Sequence, residues 1–118
     1  MAVTSPPSYM LYVAKSKTTS AAIELFALRT KVLVYLNENN AFPVDAEAIG
    51  VDNTRVADYW QDPDVDNGTV SVVFANIDSE INGETISMTP STSAEGIVTW
   101  VCTSTATNKA KLPSECRD

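Results

Sequence analysis

The sequence contains no histidine, and this absence narrows the chemistry that the chain can carry out. Catalytic groups of the Ser-His-Asp and Cys-His kinds need an imidazole as general base. A tetrahedral zinc site would be restricted to cysteine and carboxylate ligands. We therefore expect no catalytic residues, no metal and no other cofactor, and the chain is predicted not to be an enzyme.

Basic residues are also scarce. Eight lysines and arginines stand against fifteen aspartates and glutamates, which gives a formal net charge of −7. Binding to nucleic acid phosphates needs a broad positive field, and such a chain lacks one. Small basic groups occur at Lys15 and Lys17 and again at Lys109, Lys111 and Arg117. Sequence-independent DNA binding by the isolated domain is not expected.

Cysteine is limited to Cys102 and Cys116, which lie 14 positions apart near the C-terminus. An even pair at this spacing predicts one disulfide, which forms in an oxidising compartment. The alternatives are two unconnected buried thiols or half of a metal site.

The first seven residues show neither a charged leader nor a long apolar run, so we expect that an export signal has been removed.

Glycine and proline are absent between residues 8 and 39, and this segment is rich in Ala, Leu, Lys and Glu. This composition predicts one long helix over residues 8–40. Such a helix is roughly 48 Å long at about 1.5 Å per residue. A single compact domain formed by residues 1–118 would be about 30 to 35 Å wide. Part of the helix is therefore predicted to protrude.

The two halves of this helix differ in their apolar pattern. In the second half, apolar residues recur at steps of three and four and predict a broad core-facing side: Ala21, Leu25, Leu28, Val32 and Leu36, with Ala22, Phe26 and Leu33 beside them. Arg29 falls inside this arc, where it either pairs with a carboxylate or lays its stem across the sheet edge with its head in water.

The first half contains five consecutive apolar residues, which point all round the helix axis: Tyr9, Met10, Leu11, Tyr12 and Val13. A helix that is apolar on every side needs a partner on every side. We interpret this segment as a contact with other subunits in an assembly. The alternative is a trimmed or disordered chain end.

The remainder of the chain predicts a sheet. A polar connection over residues 41–54 is followed by four predicted strands over residues 55–61, 69–75, 84–89 and 97–103, separated by turn-forming clusters. The second and third strands alternate with period two, so one face of each can pack on the helix. The predicted fold is α+β: a long N-terminal α-helix packed on a four-stranded antiparallel β-sheet (residues 55–103), with a C-terminal disulfide-bounded loop (residues 102–116).

An acidic run at the first predicted turn could indicate a calcium-binding loop or a pair of catalytic carboxylates: Asp58, Asp62, Asp64 and Asp66. The run departs from a calcium loop, because Gly68 comes one place late and Val73 stands where a glutamate belongs. We favour a solvated acidic turn. The glycosylation pattern that begins at Asn67 is likewise interpreted as a turn.

The loop between the cysteines has small polar side chains and two lysines, and no large apolar residue precedes Leu112. We expect it to remain exposed and to contact a neighbour or a receptor. The residues predicted to form this surface are Thr103, Ser104, Thr105, Asn108, Lys109, Lys111 and Pro113.

Three pieces of the sequence resemble the type IV pilins, and specifically the type IVa group. They are the helix end at residues 27–32 and 35–43, the strand at residues 81–90, and the ending at residues 96–102 and 112–117. The ending is the most specific, because Trp100-Val101-Cys102 followed by Leu112-Pro113-Ser114-Glu115-Cys116-Arg117 has the form of a hallmark of these subunits.

The resemblance implies a pilus subunit whose missing N-terminal half-helix anchors it in the inner membrane before assembly and forms the filament core afterwards. It implies a homopolymer of pilin subunits in an extracellular pilus, handled by the pilus assembly machinery, with adhesion, twitching motility or DNA uptake as roles. Residues 42–54 and 103–115 would cover the filament, where DNA or a host receptor could bind. The family's cleavage motif and N-terminal glutamate lie outside this chain.

Other interpretations remain open at this point. A minor pilin would share all these features. A pseudopilin of a type II secretion system shares the helix-plus-sheet plan, but its major form usually carries a calcium site in place of the disulfide. From other classes, a secreted ligand-binding domain, or a hydrolase using Asp62 and Asp64, would show a concave pocket and a fully covered helix.

Overall fold

The computed structural model describes residues 7–117 and consists of one long helix followed by an antiparallel sheet. The elements are α1 (Pro7–Asn39), β1 (Trp60–Asp66), β2 (Thr69–Phe74), β3 (Thr85–Thr92) and β4 (Val98–Ser104). The strand order is β1-β2-β3-β4, with antiparallel neighbours throughout. The predicted fold class is confirmed. The residues on which removal of an export signal was predicted lie largely outside the described residues.

Helix α1 ends where its sequence predicts. Asn40 adopts a left-handed backbone conformation with φ of 56°, and its N–H donates to the carbonyl of Leu36. Asparagine tolerates this conformation better than most residues, which makes it a suitable residue to end a helix. Pro43 follows and cannot continue the hydrogen-bond ladder.

The buried side of α1 is narrower than predicted. Ala21, Leu25, Leu28 and Val32 are fully buried, as expected for the core side. Phe26 and Leu33, which were placed beside this face, are 36% and 37% exposed, and Leu36 is half-buried. The sheet covers only the side of the helix that touches it, and Phe26 and Leu33 lie beyond that side, so they remain accessible.

The sheet contributes the other half of the core through alternating residues. In β2 the buried residues are Val70, Val72 and Phe74, and in β3 they are Ile86 and Met88. Each strand therefore turns one face to α1 and the other outward, which is the two-residue period predicted for these strands. Full burial of a side chain of this size contributes about 1.5 to 3 kcal/mol.

Strand β1 does not lie where it was predicted. The expected strand at residues 55–61 forms only an isolated bridge between Val56 and Gln61, and β1 instead runs from Trp60 to Asp66. A bulge between Gln61 and Asp64 accommodates Asp62, whose φ is 54°, together with Pro63. An edge strand tolerates a bulge and a proline, so the residues interpreted as a turn continue the strand.

The protruding start of α1 is confirmed. The described part of the chain measures 62 × 30 × 17 Å along its principal axes. Near the start of the helix, Tyr9, Met10 and Tyr12 are 56%, 60% and 68% exposed. Within the described residues, no helix combines the length and the apolar character needed to cross a membrane.

Candidate functional site

The side of α1 that faces away from the sheet carries an uncharged row of residues, which we call the outward stripe. Its members follow each other at steps of three and four, so they share one side of the helix: Thr19, Ile23, Phe26, Thr30, Leu33 and Asn37. Ile23 is 61% exposed, and the adjacent Val34 is 52% exposed. Three members of the stripe are apolar, Ile23, Phe26 and Leu33, so α1 carries apolar residues on the side away from the sheet as well as on its buried side.

The five consecutive residues at the helix start differ in exposure. Tyr9, Met10 and Tyr12 are exposed, whereas Leu11 and Val13 are half-buried. A cavity of about 280 Å³ lies beside them, lined by Tyr9, Met10, Val13, Ala14, Ile77, Asp78 and Lys111. Of the exposed members, Tyr12 lies on the side of the outward stripe, two turns before Thr19, whereas Tyr9 and Met10 line the cavity. Their contact with other subunits remains a prediction.

The two cysteines form a disulfide, so the alternatives of unconnected thiols and of a half metal site are excluded. Cys102 is 6% exposed and Cys116 is fully buried. Cys102 belongs to β4, and Cys116 ends a short 3-10 helix at Ser114–Cys116. The disulfide therefore fastens the C-terminal segment to an edge strand of the sheet.

The loop between the cysteines is less exposed than its composition predicts. Ala106 and Leu112 are buried in the core. These two residues anchor the loop to the domain at two points. In the predicted surface set, Thr103 and Thr105 are exposed, Ser104, Asn108, Lys109 and Lys111 are half-buried, and Pro113 is buried. A role for this loop in binding remains a prediction.

Lys111 connects three parts of the chain. Its Nζ lies 2.9 Å from Asp78 Oδ2 and 2.7 Å from Glu80 Oε2, both in the connection between β2 and β3. Its backbone carbonyl accepts a 2.7 Å hydrogen bond from the hydroxyl of Thr18 in α1. The positive charge of Lys111 is thus compensated within the chain.

These contacts shift the pKa of each ionic group. Hydrogen bonds to Glu80 and then Asp78 raise the pKa of Lys111 above its ordinary value. The bond from Lys111, followed by that from Asn108, lowers the pKa of Glu80. Partial burial alone would raise the pKa of Asp78, but the bonds from Lys111 and from two backbone N–H groups outweigh it, and the pKa is lowered.

The two basic groups of the sequence are brought near each other, since Thr18 bonds to Lys111. They do not add up to a free cationic surface. The Nζ of Lys109 donates to the carbonyl of Ser104 at 2.7 Å, and the Nζ of Lys17 lies 5.4 Å from the ring of Tyr59.

Most of the net negative charge lies in residues 45–66, which we call the acidic segment. It contains seven carboxylates and one base, Arg55, and so carries −6 of the net −7. Arg55 is paired with Glu24 of α1 at 3.2 Å. An open cavity of about 500 Å³ in this segment is lined by Asp45, Ala46, Glu47, Gly50, Val51, Asp52, Asn53 and Asp64. Among residues 7–117, no group of carboxylates or cysteines is arranged to hold a metal ion.

The side chain of Arg29 lies over β3 and β4, as in the second of its two predicted alternatives, but its head packs near aromatic rings. Its guanidinium carbon lies 4.9 Å from the ring centre of Phe26 and 5.7 Å from that of Trp100. One terminal nitrogen is 3.9 Å from Met88 Sδ. No carboxylate in the described part of the chain forms an ion pair with it.

Sequence reasoning did not find the partners of Lys111 or the role of Trp100, because both depend on contacts between distant parts of the chain. For Thr18, by contrast, the sequence indicated that a hydrogen-bond partner inside the protein was needed. Thr18 occupies the buried side of α1 between Ala14 and Ala21, at steps of four and three. A polar residue at such a position needs a hydrogen-bond partner inside the protein.

A protein-family model described as pilin, a bacterial filament family, matches residues 14–117. The match covers most of α1, the whole sheet and the disulfide-bounded loop. A search of curated proteins finds no match to the chain.

Proposed function

The chain belongs to the pilin family, whose members are structural, non-enzymatic subunits of bacterial filaments, and we propose that it forms a type IVa pilus through its helix. Polymerisation and an extracellular location follow from the family. The proposal concerns the contact surface and the role of the filament. We propose that the filament serves adhesion, twitching motility or DNA uptake.

The outward stripe is the observation that supports assembly through the helix. Ile23, Phe26, Leu33 and Val34 are not covered by any element of residues 7–117, although the opposite side of α1 is already packed on the sheet. A helix that is apolar on two sides buries the second side against another helix or subunit. The exposed Tyr12 lengthens this surface. The exposed Tyr9 and Met10 lie elsewhere round the helix start and fit the interpretation of that segment as a subunit contact.

The rest of the domain would form the outside of the filament. We propose that residues 42–54 and the exposed part of residues 103–115 are displayed there, where a host receptor or DNA could bind. Handling by the pilus assembly machinery, and anchoring in the inner membrane before assembly, belong to the same proposal. The buried Cys102–Cys116 disulfide supports a pilin over a pseudopilin, in whose major form a calcium site usually takes that place.

Electron microscopy of the source cells, with gold-labelled antibody against this domain, tests the proposal together with a strain deleted for the gene. Labelling along whole filaments that disappears in the deletion strain would establish a major pilin. Sparse or tip labelling would indicate a minor pilin. Absence of surface labelling would overturn the proposal and favour a pseudopilin or another secreted protein.

A matched pair of variants tests the role of the outward stripe. Ile23→Asp and Ser79→Asp each add one negative charge at an exposed position, but only Ile23 belongs to the stripe. We expect Ile23→Asp to abolish filaments and Ser79→Asp to leave them in normal number. Equal filament numbers in both strains would exclude the stripe as the contact surface.

A further inference from the structure

We propose that Arg29, held between Phe26 and Trp100, is the docking point for a carboxylate of a second copy of the chain, supplied by that copy's acidic segment. This inference rests on the proposed function, because it names a contact inside the filament.

The described surroundings of Arg29 supply no strong acceptor for its N–H groups. Aromatic rings attract the faces of a planar guanidinium, and both Phe26 and Trp100 lie within the range of this interaction. A guanidinium carries its N–H groups in its own plane, and a carboxylate can accept two of them at once. Within residues 7–117, the acceptor recorded for these groups is the weakly accepting sulfur of Met88.

The position is also prepared for binding before a partner arrives. Arg29 is half-buried, and its guanidinium already packs near the rings of Phe26 and Trp100 within one subunit. Less side-chain entropy is therefore lost on association. Arginine and tryptophan are enriched among the residues that dominate protein interfaces. Here Arg29 and Trp100 lie together beside Phe26 and Leu33 of the outward stripe.

The charge distribution selects a second copy as the occupant. The acidic segment holds −6 of the chain's net −7. Its one base, Arg55, is already paired with Glu24 of α1. The carboxylates of the segment are exposed: Asp45, Glu47, Asp52, Asp58, Asp62, Asp64 and Asp66. Two identical acidic surfaces would repel each other, whereas an acidic surface against Arg29 is electrostatically favourable.

The two surfaces lie toward opposite edges of the sheet, which gives the contact a direction. Arg29 lies over β3 and β4, whereas the acidic segment includes β1 at the other edge. A contact between two different surfaces of identical subunits leaves one surface of each kind free at the two ends. Such contacts propagate into an open helical polymer unless the rotation closes a ring.

Carbodiimide cross-linking of filaments carrying Arg29→Lys tests the contact directly. The substitution keeps the positive charge and introduces an amine, which carbodiimide joins to a carboxylate that touches it. We expect mass spectrometry of the dimer band to show an amide link between position 29 and a carboxylate of the acidic segment. The same variant of the isolated domain, in dilute solution, should lack the link and so exclude a bond within one chain.

Charge reversal gives an independent measurement. We expect Arg29→Glu to reduce the amount of filament by at least about tenfold. Lysine substitution of the linked carboxylate should restore filaments in the Arg29→Glu strain. The Arg29→Glu domain must show the unfolding midpoint of wild type in urea, and if it does not, Arg29→Gln takes its place in the comparison.

The outcomes separate this inference from the proposed function. Absence of filaments containing wild-type protein would overturn the proposed function and this inference with it. Filaments that form normally with Arg29→Glu, or that link position 29 only to carboxylates outside the acidic segment, would overturn the inference and leave the proposed function intact.

Discussion

The hydroxyl of Thr18 donates a 2.7 Å hydrogen bond to the backbone carbonyl of Lys111, 93 positions further along the chain. Thr18 is fully buried on the sheet side of α1, and its hydroxyl also lies 3.1 Å from the carbonyl of Lys15. Among the described residues, no buried side-chain polar atom lacks a hydrogen-bond partner. The bond to Lys111 therefore holds the C-terminal loop against the middle of the helix.

Thr18→Val should destabilise the domain by about 1 to 3 kcal/mol, because the shape of the side chain is kept while a buried carbonyl loses its donor. Urea unfolding of the isolated domain measures this free energy. Thr19→Val is the matched control, since Thr19 is exposed and bonds only to Lys15 of its own helix. Equal losses in the two variants would contradict the importance of the Thr18 bond.

The ion pairs of Lys111 predict a specific dependence of stability on pH. The folded-state pKa values of Asp78 and Glu80 are lowered, so their contribution is present above their ordinary values and is lost as pH falls below about 4. The pKa of Lys111 is raised, so its contribution is lost only as pH rises above about 10.

Lys111→Met tests this dependence. We expect a loss of about 1 kcal/mol or less at pH 7, since the groups are partly exposed, and a smaller difference from wild type at pH 3. Lys31→Met removes the same charge from an exposed lysine for which the described residues supply no ion-pair partner. Urea unfolding at both pH values checks the prediction. If the two variants differ from wild type in the same way, the ion pairs make no contribution of their own.

Removing the disulfide should have a larger effect. The bond joins residues 14 positions apart, and closing a loop of this size contributes about 3 kcal/mol in the chain-entropy model. We expect the double variant Cys102→Ala and Cys116→Ala to lose about this much free energy of unfolding. A reducing agent should lower the stability of the wild type toward that of the variant and leave the variant unchanged. A wild type that is insensitive to reduction would contradict this account.

The parts of the fold that follow from local chemistry could be predicted from the sequence. The absence of glycine and proline gave the length of α1, and alternation in β2 and β3 gave the buried face of the sheet. Strand β1 could not be placed, because Asp62 and Pro63 have the composition of a turn. Whether such residues end a strand or form a bulge depends on the neighbouring strand, which supplies pairs to both sides of them.

The candidate surfaces were likewise predictable from the sequence in some parts and not in others. The apolar start of α1 was visible as a run of consecutive residues, and two of its members proved half-buried only because other parts of the chain pack beside them. The environment of Arg29 could not be chosen from sequence, since Met88 and Trp100 are 59 and 71 positions away, counting from residue 29. Long-range contacts of this kind are fixed by strand register rather than by local propensity.

Gly68 and Gly83 offer a comparison that separates backbone strain from packing. Both are in the left-handed region, with φ of 88° and 84°, so alanine is strained at either position. A Cβ at Gly83 would have no atom within 4 Å, whereas one at Gly68 would lie 2.8 Å from Phe42 Cδ1 and 3.1 Å from Phe42 Cβ. Rotation of the Phe42 ring relieves the first contact but not the second.

Gly68→Ala should therefore destabilise the domain more than Gly83→Ala. Both variants should lose about 1 kcal/mol through the backbone, and Gly68→Ala a further 1 to 3 kcal/mol, roughly, through overpacking against Phe42. The Gly68 N–H also donates to the carbonyl of Pro43 at 2.9 Å, so a shift of this turn would loosen the start of the connection that leads into the acidic segment. Free energies of unfolding in urea decide between the two contributions, because equal losses in the two variants would mean that Phe42 moves aside without cost.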